Sequence, residues 1–160
     1  MTDSGWQVPE SVWAASGALF TDREGRVFLV EPVYKDTWEI PGGVVEPGES
    51  PRESCRREVR EELGLNLVPG PLLCVEYTRP PFARWEGYRF IFDGGELSRQ
   101  ALATIRLQES ELARWRFVTI AELVTLVAQP LGIRIGAALE ARTERQGPRY
   151  LENGVWSDPG

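Results

Sequence analysis

The stretch from Ser50 to Gly64 constrains the fold most, because it specifies a helix at both ends and crowds charge along one side of it. Ser50 can serve as N-cap, Pro51 fits the first helical position, Glu53 completes an S-x-x-E capping box, and Gly64 stands where a left-handed residue stops a helix. These signals predict a helix from about Pro51 to Leu63. At helical spacing, Cys55, Val59 and Leu63 align at i, i+4 and i+8 as a narrow apolar stripe that faces a core. Glu58, Glu61 and Glu62 fall on a neighbouring arc roughly 100° wide. Like charges so spaced cost about 0.2 to 0.5 kcal/mol per pair even when exposed, and more when half-buried, so the arc needs compensation. By angle, Arg57 and Arg60 lie off the arc, toward solvent. A hard cation suits it better, because Mg²⁺ or Mn²⁺ takes carboxylate and water oxygens.

Around this helix the chain reads as alternating strands and helices. Val12 to Phe20 and Arg26 to Tyr34 are β-rich and separated by a turn that contains Asp22 and Gly25. Leu72 to Thr78, Tyr88 to Phe92 and Trp115 to Ile120 read as further strands. Ala121 to Ala128 and Leu131 to Arg145 have helical composition, split by Pro130. With 160 residues the chain suits one domain with a real core, taken as residues 1–145, followed by a Gly- and Pro-containing tail, 146–160, expected to be loosely held. The fold class is α/β.

Composition narrows the chemistry. The chain has no histidine and two cysteines, Cys55 and Cys74, so a four-ligand zinc site and Ser-His or Cys-His catalysis are excluded. Proton transfer then falls to carboxylates, Lys, Tyr, Cys or water held by a metal. A formal charge of −6 argues against broad binding to nucleic acid or an anionic membrane. The start, MTDSGWQVPES, is acidic and polar where a signal peptide is basic and then apolar, so a cytoplasmic protein is expected.

The string Gly43, five residues, Glu49, seven residues, then Arg57-Glu58-Val59-Arg60-Glu61-Glu62-Leu63-Gly64-Leu65 resembles the Nudix box at every specified position. Trp38-Glu39-Ile40-Pro41-Gly42-Gly43 leading into it, and Trp115-Arg116-Phe117-Val118 before a helix, support the likeness. The resemblance implies the Nudix fold, a mixed β-sheet sandwiched between α-helices, over about Val12 to Arg145. It implies metal ligands at Glu58, Glu61 and Glu62, with the Gly43 carbonyl as a further ligand. Glu49 would bind metal through water or hydrogen-bond the helix, Arg57 would orient a catalytic carboxylate, and Glu61 or Glu62 would be the general base. Glu111, six residues before Phe117, matches the glutamate that many relatives add from a later loop, with Glu109 and Glu96 as rivals.

For the substrate, Trp38, Tyr77, Phe82, Trp85 and Tyr88 are candidate stacking groups, and Arg79, Arg84 and Arg89 can meet phosphate charge. Among these, Trp38, Arg79 and Trp85 are the chosen substrate contacts. Pro80, fifteen residues beyond Leu65, resembles the mark of ADP-ribose pyrophosphatases in the family. The expected function is hydrolysis, with Mg²⁺ or Mn²⁺, of a diphosphate linkage in a small nucleotide substrate by a monomer or homodimer. The rival is a Nudix-fold sensor that binds a nucleotide with little turnover, which the intact box disfavours. Activity is expected to require Mg²⁺ or Mn²⁺ and to vanish in chelator, since the carboxylate arc has no other evident means of activating water. Full turnover in EDTA is the result that contradicts it.

Overall fold

The computed structural model describes residues 12–156. Its strands are β1 (Trp13–Thr21), β2 (Val27–Pro32), β3 (Gly42–Val44), β4 (Leu72–Thr78), β5 (Gly87–Glu96), β6 (Leu112–Val118), β7 (Arg149–Glu152) and β8 (Val155–Trp156). Its helices are α1 (Pro51–Leu63), α2 (Arg99–Thr104), α3 (Ile120–Leu126) and α4 (Gln129–Glu144). The expected helix has the expected bounds. Ser50 accepts from the Glu53 amide, Glu53 accepts from the Ser50 amide at 2.7 Å, and Gly64 closes the helix at φ 70°.

One mixed sheet in the order β6-β2-β1-β5-β4-β7-β8 organises the chain. β1 runs parallel to β5 along its whole length, and on its other edge it pairs with β3 at Ala15–Gly17 and with β2 at Thr21. Such a central strand is covered on both faces, and Ala18, Leu19 and Phe20 are accordingly all buried. Ala18 and Phe20 join Phe28, Phe92 and the α1 stripe of Cys55, Val59 and Leu63, each stripe residue having no exposed surface. Leu19 faces the other way, into Leu29, Ile91, Leu123, Leu131, Ile135 and Ala138 beneath α3 and α4. The expected sandwich of sheet between helices is observed, and among the described residues no helix is long and apolar enough to cross a membrane.

Residues 149–156 differ from the loosely held tail expected there. β7 adds in parallel to the free edge of β4, and Asn153 and Gly154, both at positive φ, turn it back into β8. The Asn153 amide donates to Tyr77 O at 2.9 Å, and Leu151 is buried in the α4-side core. An otherwise bare sheet edge and an apolar residue at the inward position of the strand hold this segment down. Leu151→Ala is therefore expected to cost about 2 to 5 kcal/mol in a denaturant titration, the ordinary penalty for a core leucine. A loss near zero contradicts the docked strand.

Candidate functional site

The loop 41–50 and α1 form an acidic corner around one arginine. The Arg57 guanidinium donates to both Glu49 oxygens, at 2.7 and 3.1 Å, to Glu58 Oε1 at 2.8 Å, to Glu61 Oε2 at 3.1 Å and to the Val44 carbonyl at 3.0 Å. Arg57 is thus not turned to solvent, as its helical angle suggests. Its long side chain folds back over the arc and keeps only 18% of its surface. Arg60, in contrast, is exposed. The Arg57 guanidinium beside Glu49 holds that carboxyl well down, at about 2.

Glu62 is placed differently. It is 6% exposed and accepts from the Gly42 amide at 2.9 Å, and among the described residues no arginine or lysine pairs with it. Burial pushes its carboxyl up to about 8; the Gly42 amide opposes this, and the charges of Glu58, Glu111 and Glu39 add to it. Burial also raises Glu58, against the pull of Arg57. Glu61 is the exposed member of the arc. Gly42 and Gly43 let the strand approach this closely. A Cβ on Gly42 would meet Ser16 O at 2.3 Å, and one on Gly43 would meet Glu58 Oε1 at 2.4 Å.

Among the described residues no three acidic or thiol side chains stand together as a ready metal cage. Glu58 and Glu61 are drawn to Arg57 and Glu62 to Gly42. Glu111 is exposed in the turn before β6, yet its charge is felt at both Glu58 and Glu62. Glu96 instead pairs with Arg23 at 3.2 Å. Both cysteines are buried, and burial pushes each thiol up to about 12, far from a nucleophile's range.

A cavity of about 320 Å³ opens beside Glu62, between β1, β5 and α4. Glu39, Gly42, Gly43 and Glu62 line one part of it, and Arg89 and Arg134 another. The three substrate contacts chosen from sequence are not among its walls. Trp38 is core, 5% exposed, with the Arg114 and Arg116 guanidinium groups over its ring at 5.5 and 5.4 Å. Trp85 is exposed and lines a different opening with Val12, Val45 and Pro47, while the Arg79 amide is bonded to Asn153 Oδ1 at 3.1 Å. Arg134 escaped the sequence reading altogether. Its one signal was Glu76, a charge on the inward face of β4 that demands a buried partner.

A family model described as the NUDIX domain matches residues 12–137. The chain is 37% identical over 71 residues to an 8-oxo-dGDP phosphatase of Homo sapiens, a stretch covering 42% of this chain and 22% of that protein. It is 42% identical over 57 residues to a CTP pyrophosphohydrolase of Escherichia coli (strain K12), covering 33% of this chain and 42% of that one. The matched stretches thus span well under half the length of these relatives. A crystal structure of a UDP-X diphosphatase superposes with a TM-score of 0.71 at 22% identity, over 91% of this chain and 69% of that chain.

The buried carboxylate has a consequence for stability without metal. With Glu62 at about 8 in the folded chain against the ordinary 4.5, the native state holds the proton more tightly. Its contribution is full below the ordinary value and is lost as pH rises toward 8. Glu49, at about 2, works in the opposite sense, but only below the ordinary value. Chelator-treated protein is therefore expected to melt at falling temperature from about pH 5.5 upward to 8, and Glu62→Gln to flatten the fall. A wild-type profile flat across that window contradicts the assignment.

Proposed function

This chain belongs to the Nudix family, and from that premise we propose that it is a metal-dependent hydrolase. It cleaves a diphosphate linkage in a nucleoside diphosphate derivative or a (d)NTP by attack of water at phosphorus. The observation that carries this reading is Glu62, a buried carboxylate with no cationic partner among the described residues, beside the half-buried carboxylate of Glu58 and an open cavity. An ionised carboxylate removed from water is costly unless a cation meets it, and a divalent ion is the counter-charge this donor set suits.

The residues fit that ion chemically. Glu58, Glu61 and Glu62 offer hard oxygens, and the Gly43 carbonyl lies where no side chain intervenes between strand and helix. A bound Mg²⁺ or Mn²⁺ would neutralise phosphate oxygens and make a water acidic enough to attack. Glu62, buried beside the cavity, and the more exposed Glu61 are the rival general bases. Arg57 is a positioning residue: it fixes Glu58 and Glu61 and ties them to the loop through Glu49. With both oxygens on Arg57, Glu49 supports the helix rather than the ion directly. Glu111 joins through the loop before β6, its charge already felt at Glu58 and Glu62.

The substrate is a small nucleotide-like molecule. The relatives above are named for 8-oxo-dGDP, CTP and a UDP derivative, and the spacing to Pro80 adds ADP-ribose. A volume of about 320 Å³ suits one nucleoside moiety rather than two. Glu62→Gln is expected to lower kcat by about a hundredfold or more while the fold is kept, the scale of a lost base or ligand. The assay is product identification on a panel of ADP-ribose, nucleotide sugars, dinucleoside polyphosphates and (d)NTPs. Unchanged kcat in Glu62→Gln, or binding without turnover across the panel, contradicts the hydrolase.

A further inference from the structure

The part of the cavity formed by Arg89 and Arg134 is built around an unequal set of charges. Glu76 on β4 is 1% exposed, and both of its oxygens are taken. Oε2 accepts from Arg134 Nη1 at 2.5 Å and Oε1 from the Gly154 amide at 2.7 Å. Arg89 stands directly across from Glu76 in the β4–β5 register, where an ion pair is the ordinary outcome. It makes none. Arg89 instead donates through Nη1 to Thr78 Oγ1 and lays its guanidinium over the Trp13 ring at 4.7 Å.

Two guanidinium groups thus stand beside one carboxylate that pairs with only one of them, leaving a local positive charge at Arg89. Arg89 has no acidic partner among the described residues, and burial together with the charge of Arg134 weakens its hold on its proton. The remaining N–H groups of both arginines, on Nε and Nη2, have no acceptor among the described residues, yet they are not sealed from solvent. Both side chains are fixed, Arg134 by Glu76 and Arg89 by Trp13 and Thr78. A fixed array of donors with no acceptor is a recognition surface for oxygen.

We propose that Arg89 and Arg134 set the substrate specificity by binding acceptor oxygens on the part of the substrate that is not hydrolysed. Those oxygens belong to the keto edge of a nucleobase or to a phosphate outside the scissile linkage. This rests on the reading that the diphosphate lies at the Glu58 and Glu62 end. An amino edge such as that of adenine points N–H groups at N–H groups and is disfavoured, whereas a guanidinium meets guanine O6 and N7 or a phosphate with two parallel hydrogen bonds and a uracil keto oxygen with one.

The test is equilibrium binding in Mg²⁺, with turnover blocked by α,β-methylene linkages. One arm compares the guanosine, uridine and adenosine triphosphate analogues. The other compares the adenosine analogue with and without a 3′-phosphate. Wild type is expected to favour the keto bases in the first arm, or the phosphorylated ligand in the second, by about tenfold or more, the scale of one bidentate arginine contact. Arg89→Gln should abolish the preference while retaining the wild-type melting profile, and Arg89→Lys should restore it only in part. If Arg89→Gln does not fold, the paired change Glu76→Gln with Arg134→Gln, which removes the buried ion pair as a unit, is expected to lose the preference in its place. Equal binding throughout both arms, or a preference unchanged in these variants, overturns the proposal. Because binding is read without turnover, loss of the hydrolase reading leaves this result standing, and turnover without preference overturns this proposal alone.

Discussion

Arg57 directs hydrogen bonds to Glu49, Glu58, Glu61 and the Val44 carbonyl, and so joins the loop after β3 to the middle of α1. Without it, the helix would carry Glu58, Glu61 and Glu62 against a sheet on its buried side, with nothing to offset their repulsion. The guanidinium neutralises the outer two and leaves the innermost alone. That division has a structural origin. Glu62 lies next to the Cys55, Val59 and Leu63 stripe, and Gly42 comes close enough to donate its amide to it. The corner is therefore half neutralised from the solvent side and open to a cation from the cavity side.

The sheet makes this possible because β1 divides its free edge between two partners. Its C-terminal end pairs with β2 and is packed on both faces, while its N-terminal half takes the short β3, which brings Gly42 and Gly43 beneath α1. The same half of β1 borders the cavity with β5 and α4, and Gly42, Gly43 and Glu62 line that cavity too. One strand thus supports both the acidic corner and the wall of the pocket, with the rigidity of a core strand for both.

What could be read from the residues follows from how local each signal is. The α1 boundaries were legible to the residue, since capping box, proline and glycine all act within one turn of the helix ends. The carboxylate arc was legible for the same reason. The behaviour of Arg57 was not, because helical angle fixes where Cα points and says little of where four further carbons carry the charge. β7 and β8 had a signal that went unused: Asn153-Gly154 is a strong two-residue hairpin turn, masked by the surrounding Gly and Pro. The cavity arginines depend on α4 crossing β4 and β5, contacts between residues 58 positions apart, as Glu76 to Arg134 shows. Local pattern carries no such information. Trp38 illustrates the same limit from the other side, as an aromatic that pattern cannot separate from core.

The unpaired Glu62 and the unpaired Arg89 both line the cavity, and on the proposed reading this gives the metal a second role. A diphosphate carries more negative charge than any keto edge. In a cavity with the unpaired Glu62 and the Lys35-paired Glu39 at one part and Arg89 and Arg134 at another, the diphosphate alone would go to the arginines. The substrate would then lie reversed, with its scissile bond far from the carboxylates. A divalent ion on Glu58 and Glu62 inverts that preference, because it converts the acidic end into the stronger site for a polyanion and leaves the arginines for the remaining group. On that reading the ion that would supply the chemistry would also set the direction of binding, and one buried, unpaired glutamate underlies both.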